Sequence, residues 1–243
     1  MNKYSWFFTE SPPVGVDYES ARSVQIYERN QRTSALADKN ILERLGVSGG
    51  CNLLDLGCGT GALIEQALML GANCHGVDVS EQMIISARNK LSNFGEKAKL
   101  SHCGILDFSA KQASFDVIVM RAVLHQFPDF WKQVVLDKVA RFLRPGGLFY
   151  LWDIIYSFNS LDFESEFEGW IEVAGNLESD GYTRQDYETH IREEFSTFSW
   201  IIEGMLERSG FTISEIRYPM KVHAEYIISK PSQGGIEVKA GLT

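Results

Sequence analysis

"NLLDLGCGTG", residues 52–61, sets an acid inside an aliphatic run and follows it with glycines at 57, 59 and 61. Val, Leu and Ile suit a buried strand, whereas a carboxylate buried without a partner costs free energy. Asp55 therefore reads as a group held for a ligand. The glycines let the chain turn tightly out of the strand and bring its amides against that ligand with no Cβ between. Thr60 and Gly61 then open a helix, whose first amides favour a polar or anionic group.

Outward from this turn, short aliphatic runs alternate with segments of helical spacing. The strands read "CNLLDLG", "NCHGVDV", "AKLSHCG", "FDVIVMRAV" and "GLFYLWDII". Met83, Ala87 and Leu91 fall on one helix face; Val134, Val135, Val139 and Phe142 form a second stripe, closed by "RPGG" at 144–147. Phe198, Ile201, Ile202, Met205 and Leu206 mark a third helix, with Gly210 placed to end it. "FTISEIRY" and "VHAEYIIS" follow, joined by a short turn around Pro219 that suits an antiparallel pair. The pattern predicts an α/β fold: a doubly wound, Rossmann-like, seven-stranded sheet, mostly parallel, with an antiparallel C-terminal strand pair.

The chain divides as one domain over residues 1–230. Within it, 46–155 form the core and 198–230 the C-terminal helix and strand pair, while 231–243 read as a flexible tail. Residues 1–45 and 156–197 stand outside the alternation and are rich in aromatics, which predicts helical covers over the carboxyl edge of the sheet.

The formal net charge is −9, and Asp162 to Glu194 carries eleven acids against Arg184 and Arg192. There is no basic stripe, which disfavours a nucleic-acid partner. The acids read as solvated helix faces, with a cationic substrate as the sharper alternative. Cys51, Cys58, Cys74 and Cys103 fall at no pairing or metal spacing, and neither a leader pattern nor a membrane-length apolar run is seen, so a reduced cytoplasmic protein with no membrane partner is expected. The five histidines follow no ligand spacing, and no metal is expected.

A glycine turn alone could hold a dinucleotide or another adenosine compound. Gly57, Gly59 and Ala62 meet the dinucleotide spacing but leave Asp55 unexplained; an acid two residues before the first glycine suits a cofactor carrying an ammonium group. Asp78 closes the second strand, 17 residues after Gly61, where its carboxylate can accept from both hydroxyls of a ribose. Both cofactors would use it.

From about residue 45 to 230 the chain resembles class I S-adenosylmethionine-dependent methyltransferases. "LDLGCGTG" is similar to the first motif of that family and "GVDVS" followed by Met83 to the second; "FDVIVMRAVLHQFPD" and "ARFLRPGGLFYLWD" resemble the fourth- and fifth-strand motifs. The resemblance implies S-adenosylmethionine as cofactor, with Asp55, Gly57 and Gly59 around its methionine part and Gly61 completing the loop. It places Asp78 on the ribose, Val79 and Met83 on the adenine, and the Arg121 carbonyl on the amino group. The third motif departs from the pattern: "CGIL" leaves Gly104, Ile105 and Leu106 only backbone hydrogen bonds and apolar contact to offer the adenine.

The implied activity is methyl transfer to a small-molecule acceptor by in-line displacement. His125, in "LHQF", is the first candidate for a base and His190, in "YETHIREEF", the second. Tyr18, Tyr27 and Arg32 are candidates to close over the methionine carboxylate. A nicotinamide-dependent oxidoreductase and a non-catalytic binder of adenosyl compounds stand as alternatives, and the oligomeric state is left open.

Overall fold

The structure is a computed structural model that describes residues 4–10, 24, 35–174 and 183–232. After helix α1 (Ala35–Arg44), strand β1 (Asn52–Leu56) runs into the glycine turn and helix α2 (Ala62–Met69). β2 (Asn73–Asp78) leads to α3 (Glu81–Leu91), whose first turn is capped by Ser80 Oγ accepting from the Met83 amide at 3.2 Å. β3 (Ala98–His102), β4 (Phe115–Arg121), α4 (Asp129–Phe142) and β5 (Leu143–Tyr156) complete the core. α5 (Phe163–Ala174) and α6 (Arg184–Glu193) follow, then the two-residue β6 (Thr197–Phe198), α7 (Ser199–Arg208), β7 (Thr212–Met220) and β8 (His223–Ser229).

Strand order is β3-β2-β1-β4-β5-β8-β7, with β6 pairing the end of β5. β1 pairs in parallel with both β2 and β4, so the chain reverses its winding on the two sides of β1. β8 is antiparallel to β5 and to β7, as the sequence pattern predicted. Alternation along β1 sorts its side chains between two layers. Leu53 packs with Leu42, Leu63, Ile64 and Ile84 from α1, α2 and α3, and Leu54 and Leu56 join Val135, Leu136, Val139 and Leu206 from α4 and α7. Helices thus cover both faces, which is why the central strands can be almost wholly apolar.

One detail differs from the sequence reading. The hairpin turn between β7 and β8 lies at Lys221–Val222, since Met220 pairs with His223. Pro219 instead sits inside β7 at a register irregularity on the outermost strand, where its missing N–H breaks no central ladder. Residues 144–147, which close the stripe of α4, already belong to β5 and form the irregular stretch where pairing to β4 jumps from Leu143 to Leu148.

Candidate active site

The turn after β1 is pinned to β2 by the Gly57 and Cys58 amides, which donate to the Val77 carbonyl at 2.8 and 3.0 Å. Gly57 has φ +77°, and a Cβ built there runs into Val123 Cγ2 well inside van der Waals contact. Glycine is therefore required twice over, by backbone conformation and by the approach of the segment after β4. At the end of β2, Asp78 Oδ2 accepts from the Gly59 amide at 2.8 Å and Oδ1 from the Ser80 amide at 2.9 Å. These bonds aim the carboxylate while each oxygen keeps further acceptor capacity.

A cavity of about 340 Å³ opens at this carboxyl edge. Gly57, Gly59, Asp78, Val79 and Ile105, at or just past the ends of β1, β2 and β3, and Met83 in the first turn of α3 line it together with Arg121, His125 and His190. Open α/β sheets bind ligands at such a reversal of winding. The other lining residues include Trp152 and Ile154 of β5, His223 of β8, and Trp170, Tyr187 and Glu194 of the 156–197 segment. Described residues of that segment thus contribute to the cavity wall. In the N-terminal segment, Phe8, Thr9 and Glu10 line the cavity, while Tyr18, Tyr27 and Arg32 lie outside the described residues.

Asp55, Gly61, Gly104 and Leu106 are not on this wall. Asp55 lies beneath the turn, 3% exposed, and burial pushes its carboxyl up to about 7; Arg121 opposes that shift, while Asp38 and Asp78 add to it. Arg121 Nη1 donates to Asp38 Oδ1 at 2.6 Å, and Asp38 Oδ2 is buried with no hydrogen-bond partner among the described residues. Two buried acids share one guanidinium here and leave an acceptor unfilled, which is a donor deficit that a cationic group would make good.

Glu10 occupies the place where the sequence put the adenine. Its carboxylate accepts from the Ile105 amide at 2.7 Å and the Leu106 amide at 2.8 Å and covers Gly104. Burial raises its pKa against the pull of those two amides. Sequence reading missed Glu10 because nothing local in "FTESP" marks a residue that meets its partners 95 positions away.

Past β4, His125 lies in a short turn, and its Nδ1 donates to Asp153 Oδ1 at 2.5 Å. Asp153 is fully buried and also accepts from the Leu124 amide at 2.6 Å and the Ile154 amide at 2.7 Å. His125 Nε2 meets Glu194 Oε2 at 3.0 Å, and His190 Nδ1 meets the same oxygen at 2.5 Å. Burial disfavours a charged His125, but Asp153 and Glu194 outweigh it and raise the ring to about 9. Burial alone would raise Glu194; the two histidines instead hold it down at about 2. Asp153 carried no sequence signal, and Glu194 stood out only as one acid of the 162–194 stretch. Of the acidic stretch, Glu194 faces the cavity paired with the two histidines, while Asp162, Glu164, Glu168, Glu172 and Glu193 are exposed.

The sheet order, the glycine turn and the acid closing β2 define a Rossmann-like α/β fold with a cavity at its carboxyl edge. Residues 53–147 match the family described as "Methyltransferase domain". These motifs and this topology are similar to those of class I S-adenosylmethionine-dependent methyltransferases, whose cofactor is S-adenosylmethionine.

Among curated relatives, 27-O-demethylrifamycin SV methyltransferase of Amycolatopsis mediterranei (strain S699) is 28% identical over 67% of this chain and 60% of its own length. Ubiquinone biosynthesis O-methyltransferase of Aromatoleum aromaticum is 32% identical over 50% of this chain and 52% of its own. The chain thus spans little more than half of the length of these two proteins. Magnesium protoporphyrin IX methyltransferase from Synechocystis PCC 6803, solved with bound SAH, superposes with TM-score 0.58 at 18% identity, covering 88% of each chain. The cyclase SpnF shares the fold as well, with TM-score 0.61 at 14% identity over 83% of each chain. A cyclase on the same scaffold shows that the fold does not by itself set the reaction.

Proposed function

We propose that this chain transfers a methyl group from S-adenosylmethionine to a compact, hydroxyl-bearing aromatic small molecule enclosed against the histidine cluster. The observation that carries the reading is the continuity of one cavity. Gly57, Gly59, Asp78 and Met83 line it on the β1–β2 side, and Trp152, Trp170, Tyr187, His125 and His190 on the β5 and cover side. The first group matches the family's cofactor residues. The second offers flat apolar surface beside a polar cluster, which suits an aromatic ring carrying an oxygen. The names of the rifamycin and ubiquinone relatives both specify methylation at oxygen of a small molecule, which supports the hydroxyl in this reading.

When bound, the cofactor supplies an electrophilic methyl on a sulfonium. The chain's own residues align and shield the two reactants. Asp78 accepts from the ribose, Met83 and Val79 pack on the adenine, and the buried Asp55, Asp38 and Arg121 set the charge around the amino acid end. Trp152, Trp170 and Tyr187 exclude water, and holding reactants in line is worth roughly 7–11 kcal/mol of barrier. His125 is held between Asp153 and Glu194 on the acceptor side of the cavity, and His190 stands on the other side of Glu194. A single domain over residues 1–230 and a reducing cytoplasmic setting belong to the same proposal, the latter supported by four free cysteines. No helix among the described residues is long and apolar enough to cross a membrane.

The test joins calorimetry with S-adenosylhomocysteine to turnover on a library of phenolic and enolic metabolites, followed by mass spectrometry for a gain of one methyl. Methylation of a hydroxyl compound, abolished by Asp78→Ala, is the expected result. Tight binding with no methylated product from any acceptor would leave a binder rather than an enzyme.

A further inference from the structure

We infer that His125, His190 and Glu194 form a metal site for a first-row divalent transition ion of the zinc class, opening into the acceptor side of the cavity. One ligand atom from each of the three lies within 4.8 Å of the other two. Metal bonds of roughly 2.0–2.2 Å to nitrogen and oxygen place neighbouring ligand atoms about 3–4 Å apart, so a small closing movement of the side chains suffices. The two rings already converge on a single carboxylate oxygen, with His125 Nε2 at 3.0 Å and His190 Nδ1 at 2.5 Å from Glu194 Oε2.

The surroundings have the form of a supported ligand set. A metal-bound histidine usually has its second ring nitrogen held by a carboxylate or another polar group, which sets the tautomer and the ring plane. Here His125 Nδ1 donates to Asp153, which is itself locked by the Leu124 and Ile154 amides. That leaves Nε2 to face Glu194. His190 Nε2 is hydrogen-bonded to Ser196 Oγ at 2.9 Å, which leaves Nδ1 for the same centre. Both histidines are thus held from behind, with their remaining nitrogens turned to one point.

The backbone is fixed as well. His190 and Glu194 are four residues apart at the end of α6, where the Glu194 amide donates to the His190 carbonyl at 3.0 Å. The next amide, Phe195, donates to the His125 carbonyl at 2.8 Å, tying the turn after β4 to the end of α6. Lys132 Nζ bonds the Phe195 carbonyl from the other side. Each ligand is therefore placed by a different backbone contact, although the sequence positions are 65 and 69 apart.

Two imidazoles and one carboxylate select zinc, iron(II), cobalt(II) or manganese rather than magnesium or calcium, which take oxygen ligands. Three protein ligands leave coordination positions open, and all three residues line the cavity, so an acceptor oxygen can complete the set. The use of the ion on an acceptor rests on the methyl-transfer reading. Its binding does not.

Full-length protein, stripped with a chelator and dialysed, is titrated with zinc by calorimetry and with cobalt(II) by visible absorption, without cofactor. The expected result is one equivalent per chain and cobalt ligand-field bands with no thiolate charge-transfer band, which separates this site from the cysteines. Glu194→Gln and His190→Ala abolish that binding, and Asp153→Asn weakens it by roughly 10–100-fold. Ser196→Ala serves as the milder second variant, weakening the site less than Asp153→Asn. S-Adenosylhomocysteine affinity, read on every variant, confirms the fold. Absence of stoichiometric binding by the wild type, a thiolate band, or zinc affinity unchanged in Glu194→Gln overturns the site. Zinc bound here by a chain that methylates nothing keeps the site and ends the methyl-transfer reading.

Discussion

Gly57→Ala tests whether the turn after β1 is as tightly specified as its geometry says. Gly57 sits at φ +77°, and a Cβ there meets Val123 Cγ2. A left-handed conformation costs an L-residue roughly 1–2 kcal/mol. Forcing an extra carbon against a packed neighbour costs about 1–3 kcal/mol more. The single variant should therefore lose about 2–5 kcal/mol. Val123 is half-buried, and Val123→Ala alone should cost about 1 kcal/mol in lost apolar contact. The two changes should not add. Removing the Val123 methyls abolishes the clash but leaves the backbone strain, so the double variant should lose only about 2–3 kcal/mol, a coupling of roughly 1–3 kcal/mol. Urea unfolding of the four proteins, followed by tryptophan fluorescence with the slope held constant, measures each value. A Gly57→Ala cost below about 0.5 kcal/mol, or a double variant equal to the sum of the singles, would refute the claim that Val123 and the left-handed backbone together demand glycine.

Asp78→Ala should weaken S-adenosylhomocysteine binding by more than about tenfold, since the carboxylate is aimed by the Gly59 and Ser80 amides and loses a charge-assisted acceptor; calorimetry reads it. Asp55 gives a pH signature. Its folded pKa of about 7 lies above the ordinary 3.8, so the folded chain keeps a proton that the unfolded chain releases. The contribution is fully present below about pH 4 and is lost as pH rises through about 7, amounting to roughly 4 kcal/mol. Urea unfolding from pH 5 to 8 without cofactor should show that decline in the wild type and a flatter curve in Asp55→Asn. Glu10→Ala should free the Ile105 and Leu106 amides and tighten binding of adenosine compounds, with weaker binding in the same calorimetric assay counting against a competing role for Glu10.

Local pattern was enough for the sheet and for half of the cavity. Glycine spacing, an acid in an apolar strand and alternating strand and helix periods are short-range features. They point to the β1 turn, Asp78, Met83 and the antiparallel β8 because the physics that uses them acts within a few residues. Asp55 was legible as an anomaly, yet the structure puts it under the turn, where its proximity to Arg121 and Asp38 depends on α1 packing against α2. The Lys221–Val222 turn was misplaced because Pro219, a turn former in isolation, is tolerated on an edge strand.

The acceptor side was not legible, and the reason is distance along the chain. His125 and His190 stood out as titratable residues, but Asp153, Glu194 and Ser196 are unremarkable until β4, β5 and the end of α6 converge. The scattered histidines offered no ligand spacing, since a site assembled across elements needs none. Sequence by itself determined the fold and the glycine turn, through periodicity and backbone conformation that each segment carries alone, and its motifs carried the resemblance that implied the cofactor. Only the tertiary structure decided what faces the cofactor across the cavity, because that wall is built by long-range packing of segments that share no local code.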